Sequence, residues 1–340
     1  MHIDLIKTET EFLALSEEWN LLLQTSASHV PFLRHEFLFN WWKTLGGGEW
    51  PNGELFILTG RSSEGRLQGI APLFATHNLA GDTALMLLGS IEIADYLDLI
   101  VSEQDLPDFI VSMFDYLETR PEAFSRCLDW YNLLESSPTI PVFLDQASRR
   151  GWQCEQQRLQ PCPYIPLASD WETYLAGIDK KQRHEIRRKL RRADENPLPV
   201  DWYIAQDPDS LPAEIDAFFE LMIQEPAKAA FLTDPMREQM KRSLQAAFDN
   251  GWLQLAFMTV AGERAAAYLN FDYDNHIWVY NSGYSLKYRD LSTGWVLLAH
   301  LIQWAIENRR EEFDFLRGDE DYKYRFGGVE RFVSRLIAKC

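Results

Sequence analysis

The sequence predicts an α/β protein of two lobes, each a mixed, mostly antiparallel sheet flanked by helices. Three observations carry this. Short apolar runs with strand character alternate with segments of helical spacing in both halves. Turn signals such as Ser62-Ser63-Glu64-Gly65, Ala261-Gly262 and Asp274-Asn275 join successive strands as hairpins. The stretch Pro161-Cys162-Pro163-Tyr164-Ile165-Pro166 separates the halves, since three prolines in six residues suit neither a helix nor a central strand. The expected domains are therefore 1–160 and 161–340. A chain of 340 residues is also long for one core, because domains run to about 100–200 residues.

In the first lobe, a strand over His2–Ile6 precedes an amphipathic helix with Phe12, Leu15, Trp19, Leu22 and Leu23 on one face. Pro31–Leu45 is an aromatic-rich helical segment. Leu55–Thr59, Leu67–Ala75, Ala84–Leu88, Tyr96–Val101, Leu128–Leu133 and Trp152–Gln157 read as strands. Helices are expected from Asp105 to Leu117 and over Ile140–Arg149, the latter closed by Gly151.

The second lobe has a clearer order. A basic helix over Lys180–Asp194 leads to a strand at Val200–Ile204, then helices over Ala213–Gln224 and Asp234–Asp249. Three strands follow in series: Trp252–Val260, Glu263–Tyr273 and His276–Tyr284. A loop then enters a helix at Ser292-Thr293-Gly294 that ends near Asn308. Strands at Glu312–Leu316 and Phe332–Ala338 complete the lobe.

Composition bounds the function. With 46% hydrophobic residues and 13% aromatics the chain has ample core material. No apolar run approaches the ~20 residues of a membrane-spanning helix, and the N-terminus lacks a basic-then-apolar leader. A cytoplasmic protein is expected. The four cysteines have no metal or disulfide spacing, and the seven histidines form no HxxH pair, so no metal is expected. A net charge of -18 disfavours DNA as a partner.

Chemistry concentrates between Phe313 and Gly327. There an apolar strand ends in Gly318, and ionisable groups interleaved with aromatics follow at once. Ligands of open α/β sheets gather at such strand ends. Acyl transfer from a thioester needs a base for the nucleophile and an acid for the leaving thiolate. Asp319 or Glu320 suits the base, and Tyr322 or Tyr324 the acid. A solvated turn with a Glu320–Lys323 ion pair is the bland alternative. Upstream, Tyr280, Asn281 and Ser282 lie where the third strand would line an acyl slot. Ser292, Thr293 and Gly294 open a helix whose N-terminal partial charge suits a phosphate. On the basic helix eight cations fall in thirteen residues, with Ile186, Leu190 and Ala193 as its inward stripe. Arg187 and Arg191 are expected to face an anionic ligand, with Arg317 and Lys323 as further substrate contacts.

The order helix, helix, three strands, loop, helix, strand is that of a GNAT core. Pro31-Phe32 with Trp41-Trp42, Ala71-Pro72-Leu73 with Asp95-Tyr96-Leu97-Asp98, and the stretch from Cys162-Pro163-Tyr164 through the basic helix to Gly318-Asp319-Glu320-Asp321-Tyr322-Lys323-Tyr324 resemble the CelD/BioF-like branch of GNAT acyltransferases, relatives of the Fem-type peptidyltransferases. The resemblance implies two GNAT-like lobes, the second catalytic, and acetyl-CoA or another acyl-CoA as co-substrate. It implies an acceptor amine or hydroxyl on a small molecule or a cell-envelope or polysaccharide precursor. This chain has Ser292-Thr293-Gly294 where the family often has Ser-Pro-Gly. It has Gln224-Glu225-Pro226-Ala227-Lys228 where an Arg-Trp pair is common, so acceptor identity does not carry over. Two other readings stand beside acyl-CoA transfer. One is Fem-like transfer from aminoacyl-tRNA, which the acidic chain and the lack of a recognisable helical arm disfavour. The other is a non-catalytic binding module.

Overall fold

The computed structural model describes residues 1–119 and 127–340, which form two compact units. One comprises Met1–Gln160 with Phe332–Cys340, the other Pro161–Arg331.

The first unit opens with β1 (His2–Ile6), α1 (Glu9–Ala14), α2 (Ser16–Leu23) and α3 (His35–Thr44). Thr8 and Glu11 form a reciprocal capping box at α1, satisfying amides that a helix start leaves bare. Strands β2 (Glu54–Leu55), β3 (Ile57–Arg61), β4 (Leu67–Ala71), β5 (Leu73–His77), β6 (Thr83–Leu87) and β7 (Ile100–Val101) follow. Then come α4 (Leu106–Thr119), β8 (Cys127–Leu134), α5 (Thr139–Arg149) and β9 (Gln153–Pro161).

The expected Leu67–Ala75 strand is split at Pro72, which lacks the ladder donor; β4 and β5 join different sheets. The expected Tyr96–Val101 strand shrinks to two residues. Asp98 is buried here, accepting from the Ser28 and Ser137 hydroxyls, both at 2.5 Å, and from the Leu99 amide at 2.8 Å. Side chains, rather than a neighbouring strand, satisfy this segment. Burial pushes the Asp98 carboxyl above its usual range, with the hydroxyls opposing.

The second unit contains β10 (Tyr164–Pro166), α6 (Trp171–Gly177), α7 (Lys180–Asp194), β11 (Val200–Ile204), α8 (Leu211–Met222), α9 (Pro226–Phe231) and α10 (Asp234–Asp249). It continues with β12 (Leu253–Val260), β13 (Glu263–Tyr273), β14 (His276–Tyr284), a 3-10 turn at Leu286–Leu291, α11 (Thr293–Glu307), β15 (Glu312–Asp314) and α12 (Asp321–Arg325). The strand β16 (Phe332–Lys339), expected in this lobe, instead pairs antiparallel with β8 in the first unit. Strand character was readable there, but a pairing partner some 200 residues away leaves no local trace.

The sheet of the second unit runs β10-β15-β14-β13-β12-β11, antiparallel except for β14 with β15. The prolines around β10 are tolerated because it is the edge strand. One face carries α11, with α6 and α7 beside it, over Val296, Leu297, Ile302, Ile277 and Phe313. At the end of β14 the sheet comes close to α8: a Cβ on Gly283 would lie 2.5 Å from the Met222 nitrogen. Only glycine fits against backbone at that distance. Gly283→Ala is expected to cost about 1–3 kcal/mol through overpacking, read as a lower denaturation midpoint. Among the described residues no helix is long and apolar enough to cross a membrane.

Candidate active site

Strands β14 and β15 pair over only three rungs, ending at Trp278 with Asp314. Beyond that point β14 continues to Tyr284 while the chain after β15 turns away. A bulge against β13 sits at the same place: Asn270 faces Val279 and Leu269 faces Asn281, so Tyr280 is the inserted residue. The turn after β15 is held from inside. Asp314, fully buried, accepts from the Leu316 amide at 2.7 Å and pairs with Arg331. Leu316 and Gly318 both take positive φ, which swings the chain out of the sheet.

The opening contains a cavity of about 230 Å³, whose walls include Tyr268, Ser282, Tyr284, Gly294, Trp295 and Tyr322. Tyr322 stands edge-on to Phe315, their ring centroids 5.9 Å apart. Desolvation pushes its hydroxyl well above the usual tyrosine value, reinforced by Tyr268 and by the negative fields of Glu320 and Glu225. Tyr268 is raised likewise, by burial first and Glu320 second. Both are therefore neutral donors at neutral pH.

Tyr174, buried with its hydroxyl on the Phe326 carbonyl at 2.7 Å, is raised by burial too. These three raised values have one consequence for stability. The unfolded chain releases the protons near pH 10 while the folded unit still holds them, so their contribution is complete below pH 10 and lost as pH rises further. Alkaline unfolding monitored by urea midpoints should show stability falling above about pH 10, less steeply in Tyr174→Phe.

The expected site residues divide. Tyr322 lines the cavity, and Glu320 lies close enough for its charge to act on Tyr268 and Tyr322. Asp319 is exposed, and its field is felt at Tyr324. Tyr324 donates to the Glu330 carboxylate at 3.2 Å and is absent from the cavity wall. Ser282 lines the cavity, whereas Tyr280 packs its ring on Phe271 at 5.2 Å, and Asn281 accepts from the Ser282 amide at 2.8 Å.

Lys323 is only 2% exposed. Its ammonium donates to the carbonyls of Arg317 at 2.8 Å and Gly318 at 3.2 Å and pairs with Glu320 at 2.9 Å. All its donors are spent on the loop, so it buttresses the site instead of meeting substrate. The Arg317 carbonyl is one of those acceptors.

Ser292 begins α11 in the left-handed region at φ 54° and makes no side-chain cap. Thr293, buried, donates across to the Ala265 carbonyl at 3.2 Å. The helix start thus keeps amides that no side chain caps. At Gly294 a Cβ would meet nothing within 4 Å.

On α7, Arg187 pairs with Glu172 at 2.5 Å, and Arg191 lines a separate surface cavity with Arg188 and Arg192. On the same helix Lys189 meets a residue of the cavity wall, its Nζ lying 4.0 Å from the Trp295 ring centroid. Burial lowers its pKa, Glu185 at 3.6 Å opposes this, and Arg188 and Arg325 add to it.

Sequence reasoning also missed Tyr268, Trp295, Glu225 and Lys228. Lys228 donates to the Ser282 carbonyl at 2.7 Å, so the segment that departs from the family's Arg-Trp pattern borders the cavity. The available signal was position: Lys189 lies three residues after inward-facing Ile186, on the apolar flank of its helix. Among the described residues no group of three or more His, Cys, Asp or Glu could hold a metal ion.

The family model "Acetyltransferase (GNAT) domain" matches residues 180–324, which contain the splayed strands, α11 and α12. The second unit carries a GNAT acetyltransferase domain. The protein is accordingly an acyltransferase of mixed α/β fold. Solved structures extend the fold likeness over both units. FemX aligns with TM-score 0.68 at 12% identity, covering 99% of this chain and 97% of its own. L-PGS from Bacillus licheniformis aligns with TM-score 0.58 at 13% identity, covering 95% and 91%. A tandem GNAT protein from the clavulanic acid biosynthesis pathway aligns with TM-score 0.50 at 12% identity, covering 98% of each chain. At these identities the likeness is one of fold. No curated protein matches the chain in sequence. The GNAT domain places its splayed strands, its uncapped helix and Tyr322 around one opening.

Proposed function

We propose that the GNAT domain moves an acyl group from acyl-CoA to an amine or hydroxyl of its acceptor by direct attack within a ternary complex. The observation that carries this is the opening itself: three rungs of β14–β15 pairing, then a cavity with Tyr322 in its wall and the start of α11 at its edge.

The residues suit such a ligand. Trp295 Nε1 is buried without a hydrogen-bond partner, Gly294 leaves open space, and no side chain caps α11. A phosphate-bearing arm finds bare amides and helix dipole there, with Lys189 alongside. The apolar wall of Trp295 and Leu298 suits the arm that follows.

Bound acyl-CoA supplies a thioester whose carbonyl carbon accepts the nucleophile and whose sulfur leaves. The chain supplies the proton movements. Glu320 takes the proton of the attacking amine or hydroxyl, and the neutral Tyr322 hydroxyl gives its proton to the departing thiolate. Return of a proton from Glu320 to Tyr322 resets the site. Lys323 keeps Glu320 and the Gly318 carbonyl in place. The apolar surroundings keep Tyr322 from ionising before it is needed.

In this reading Lys189→Ala weakens acyl-CoA binding about tenfold, roughly 1.4 kcal/mol, with kcat little changed. Calorimetric titration and steady-state kinetics check this, and unchanged affinity would remove Lys189 from the site.

A second reading, transfer from aminoacyl-tRNA, is supported by the fold likeness to FemX and by the exposed cations of α7. Titration with bulk tRNA separates the two: salt-sensitive tRNA binding with no acyl-CoA binding favours the second. The acceptor is proposed to be a small molecule or a cell-envelope or polysaccharide precursor, and the protein to work in the cytoplasm.

A further inference from the structure

Two buried tyrosines line the cavity between β14 and β15, and the acid step uses only one of them. Tyr322 comes from α12, Tyr268 from the middle of β13. Tyr268 is 6% exposed, so the core holds it in place while it still borders the cavity. Register fixes it further. It stands opposite Ala256 on β12 and Ser282 on β14, braced by a strand on either side. The rungs that join β14 to β15 end at Trp278, so Tyr268 flanks the part of β14 that is left open.

A buried hydroxyl normally has a hydrogen-bond partner. Among the described residues nothing in the protein bonds the Tyr268 or the Tyr322 hydroxyl, and neither is sealed from the cavity as Trp295 Nε1 is. Both are free to donate into it. The other hydroxyls of the wall are engaged or wet. Ser282 Oγ lies 3.4 Å from the Lys228 ammonium, and Tyr284 is 43% exposed. Tyr268 is left as a desolvated donor without a task. Burial, with the field of Glu320 behind it, keeps its proton in place at neutral pH.

A thioester carbonyl under attack needs such a donor. As the nucleophile bonds to the carbonyl carbon, the C=O electron pair moves onto oxygen. When the C–S bond breaks, that pair re-forms the carbonyl, and the sulfur leaves with the C–S electrons. Between the two events oxygen carries negative charge, which is held best by donors already fixed in a dry site.

We infer that Tyr268 is a second catalytic tyrosine, whose hydroxyl donates to the thioester carbonyl oxygen and holds the charge that gathers there. It gives up no proton: Glu320 takes that of the nucleophile, and Tyr322 supplies that of the departing sulfur. The inference rests on the acyl-transfer reading of the cleft and divides its work, oxygen to Tyr268 and sulfur to Tyr322.

The test reads this hydrogen bond directly, without an acceptor. The full chain is titrated calorimetrically with acetyl-CoA labelled with carbon-13 at the carbonyl, and difference infrared spectra give the stretching frequency of the bound carbonyl. A hydrogen bond lowers that frequency, and a dry site strengthens the effect. In the wild type the bound carbonyl should stretch no higher than in water, where solvent supplies the donors. In Tyr268→Phe it should rise to the value seen in an apolar solvent, with affinity within about twofold of the wild type. Tyr322→Phe should keep the wild-type frequency, because its proton goes to sulfur. Circular dichroism and melting establish that both variants fold. Bound acetyl-CoA whose carbonyl already stretches in the wild type as in an apolar solvent, or equally in wild type and Tyr268→Phe, overturns the inference and leaves acyl transfer standing. Failure of acetyl-CoA to bind the wild type removes the acyl-transfer reading and this inference with it.

Discussion

Tyr322→Phe should lower turnover by about a hundredfold or more while leaving acyl-CoA affinity within about twofold. The substitution removes one oxygen and keeps the ring that packs edge-on against Phe315, so the loss is a proton donor and not a wall. The environment makes this tyrosine suited to the task. A hydroxyl desolvated in an apolar cleft, facing Tyr268 and the fields of Glu320 and Glu225, stays protonated through the physiological range. Turnover should therefore hold on the alkaline side to at least about pH 9, because the donor ionises only above its raised value. Tyr324→Phe is the internal control. Its hydroxyl is bonded to Glu330 and Tyr324 is not part of the cavity wall, so turnover should change little. Steady-state kinetics with calorimetric affinities check both. A large loss in Tyr324→Phe with none in Tyr322→Phe would reverse the assignment.

The second large effect is expected at Lys323. Lys323→Met keeps the length of the side chain and deletes the ammonium. The carbonyls of Arg317 and Gly318 then lose their donor, as does the Glu320 carboxylate. Two under-satisfied carbonyls in this half-buried loop cost about 2–3 kcal/mol. For a unit of this size that lowers the melting temperature by roughly 5–10 °C. Activity should fall beyond what lost stability explains, since Glu320 is no longer held beside Tyr268 and Tyr322. Differential scanning calorimetry and kinetics at a temperature well below the transition separate the two effects. An unchanged melting temperature would show that the loop does not depend on this lysine.

The sequence made the second unit legible because its strands are long, consecutive and joined by clear turns: β12, β13 and β14 lie where alternation and Gly-containing turns placed them. The charge-and-aromatic run after β15 was conspicuous because it marks a strand end, and of its members Tyr322 lines the cavity. What stayed hidden depends on distance in the chain. Tyr268 and Trp295 read as ordinary core residues, and only the parting of β14 from β15 exposes them to a cavity. Lys323 reads as a substrate contact, because nothing local shows that its ammonium is turned onto the carbonyls of its own loop. The eight cations of α7 were conspicuous, yet helical phase decides among them: Lys189 lies on the flank facing α11, while Arg187 turns to Glu172. The short helices α6 and α12 escaped because one or two turns leave little periodicity.

The most direct test of the central claim is calorimetric titration of the wild-type chain and Gly294→Trp with acetyl-CoA and longer acyl-CoAs. Gly294 borders the cavity, and a Cβ there meets nothing, so the protein tolerates a side chain at that point while a ligand cannot. Acyl-CoA should bind the wild-type chain and should bind Gly294→Trp at least a hundredfold more weakly, with both chains melting alike. Failure of every acyl-CoA to bind the wild type, or equal binding to the two chains, would contradict acyl transfer at the β14–β15 opening.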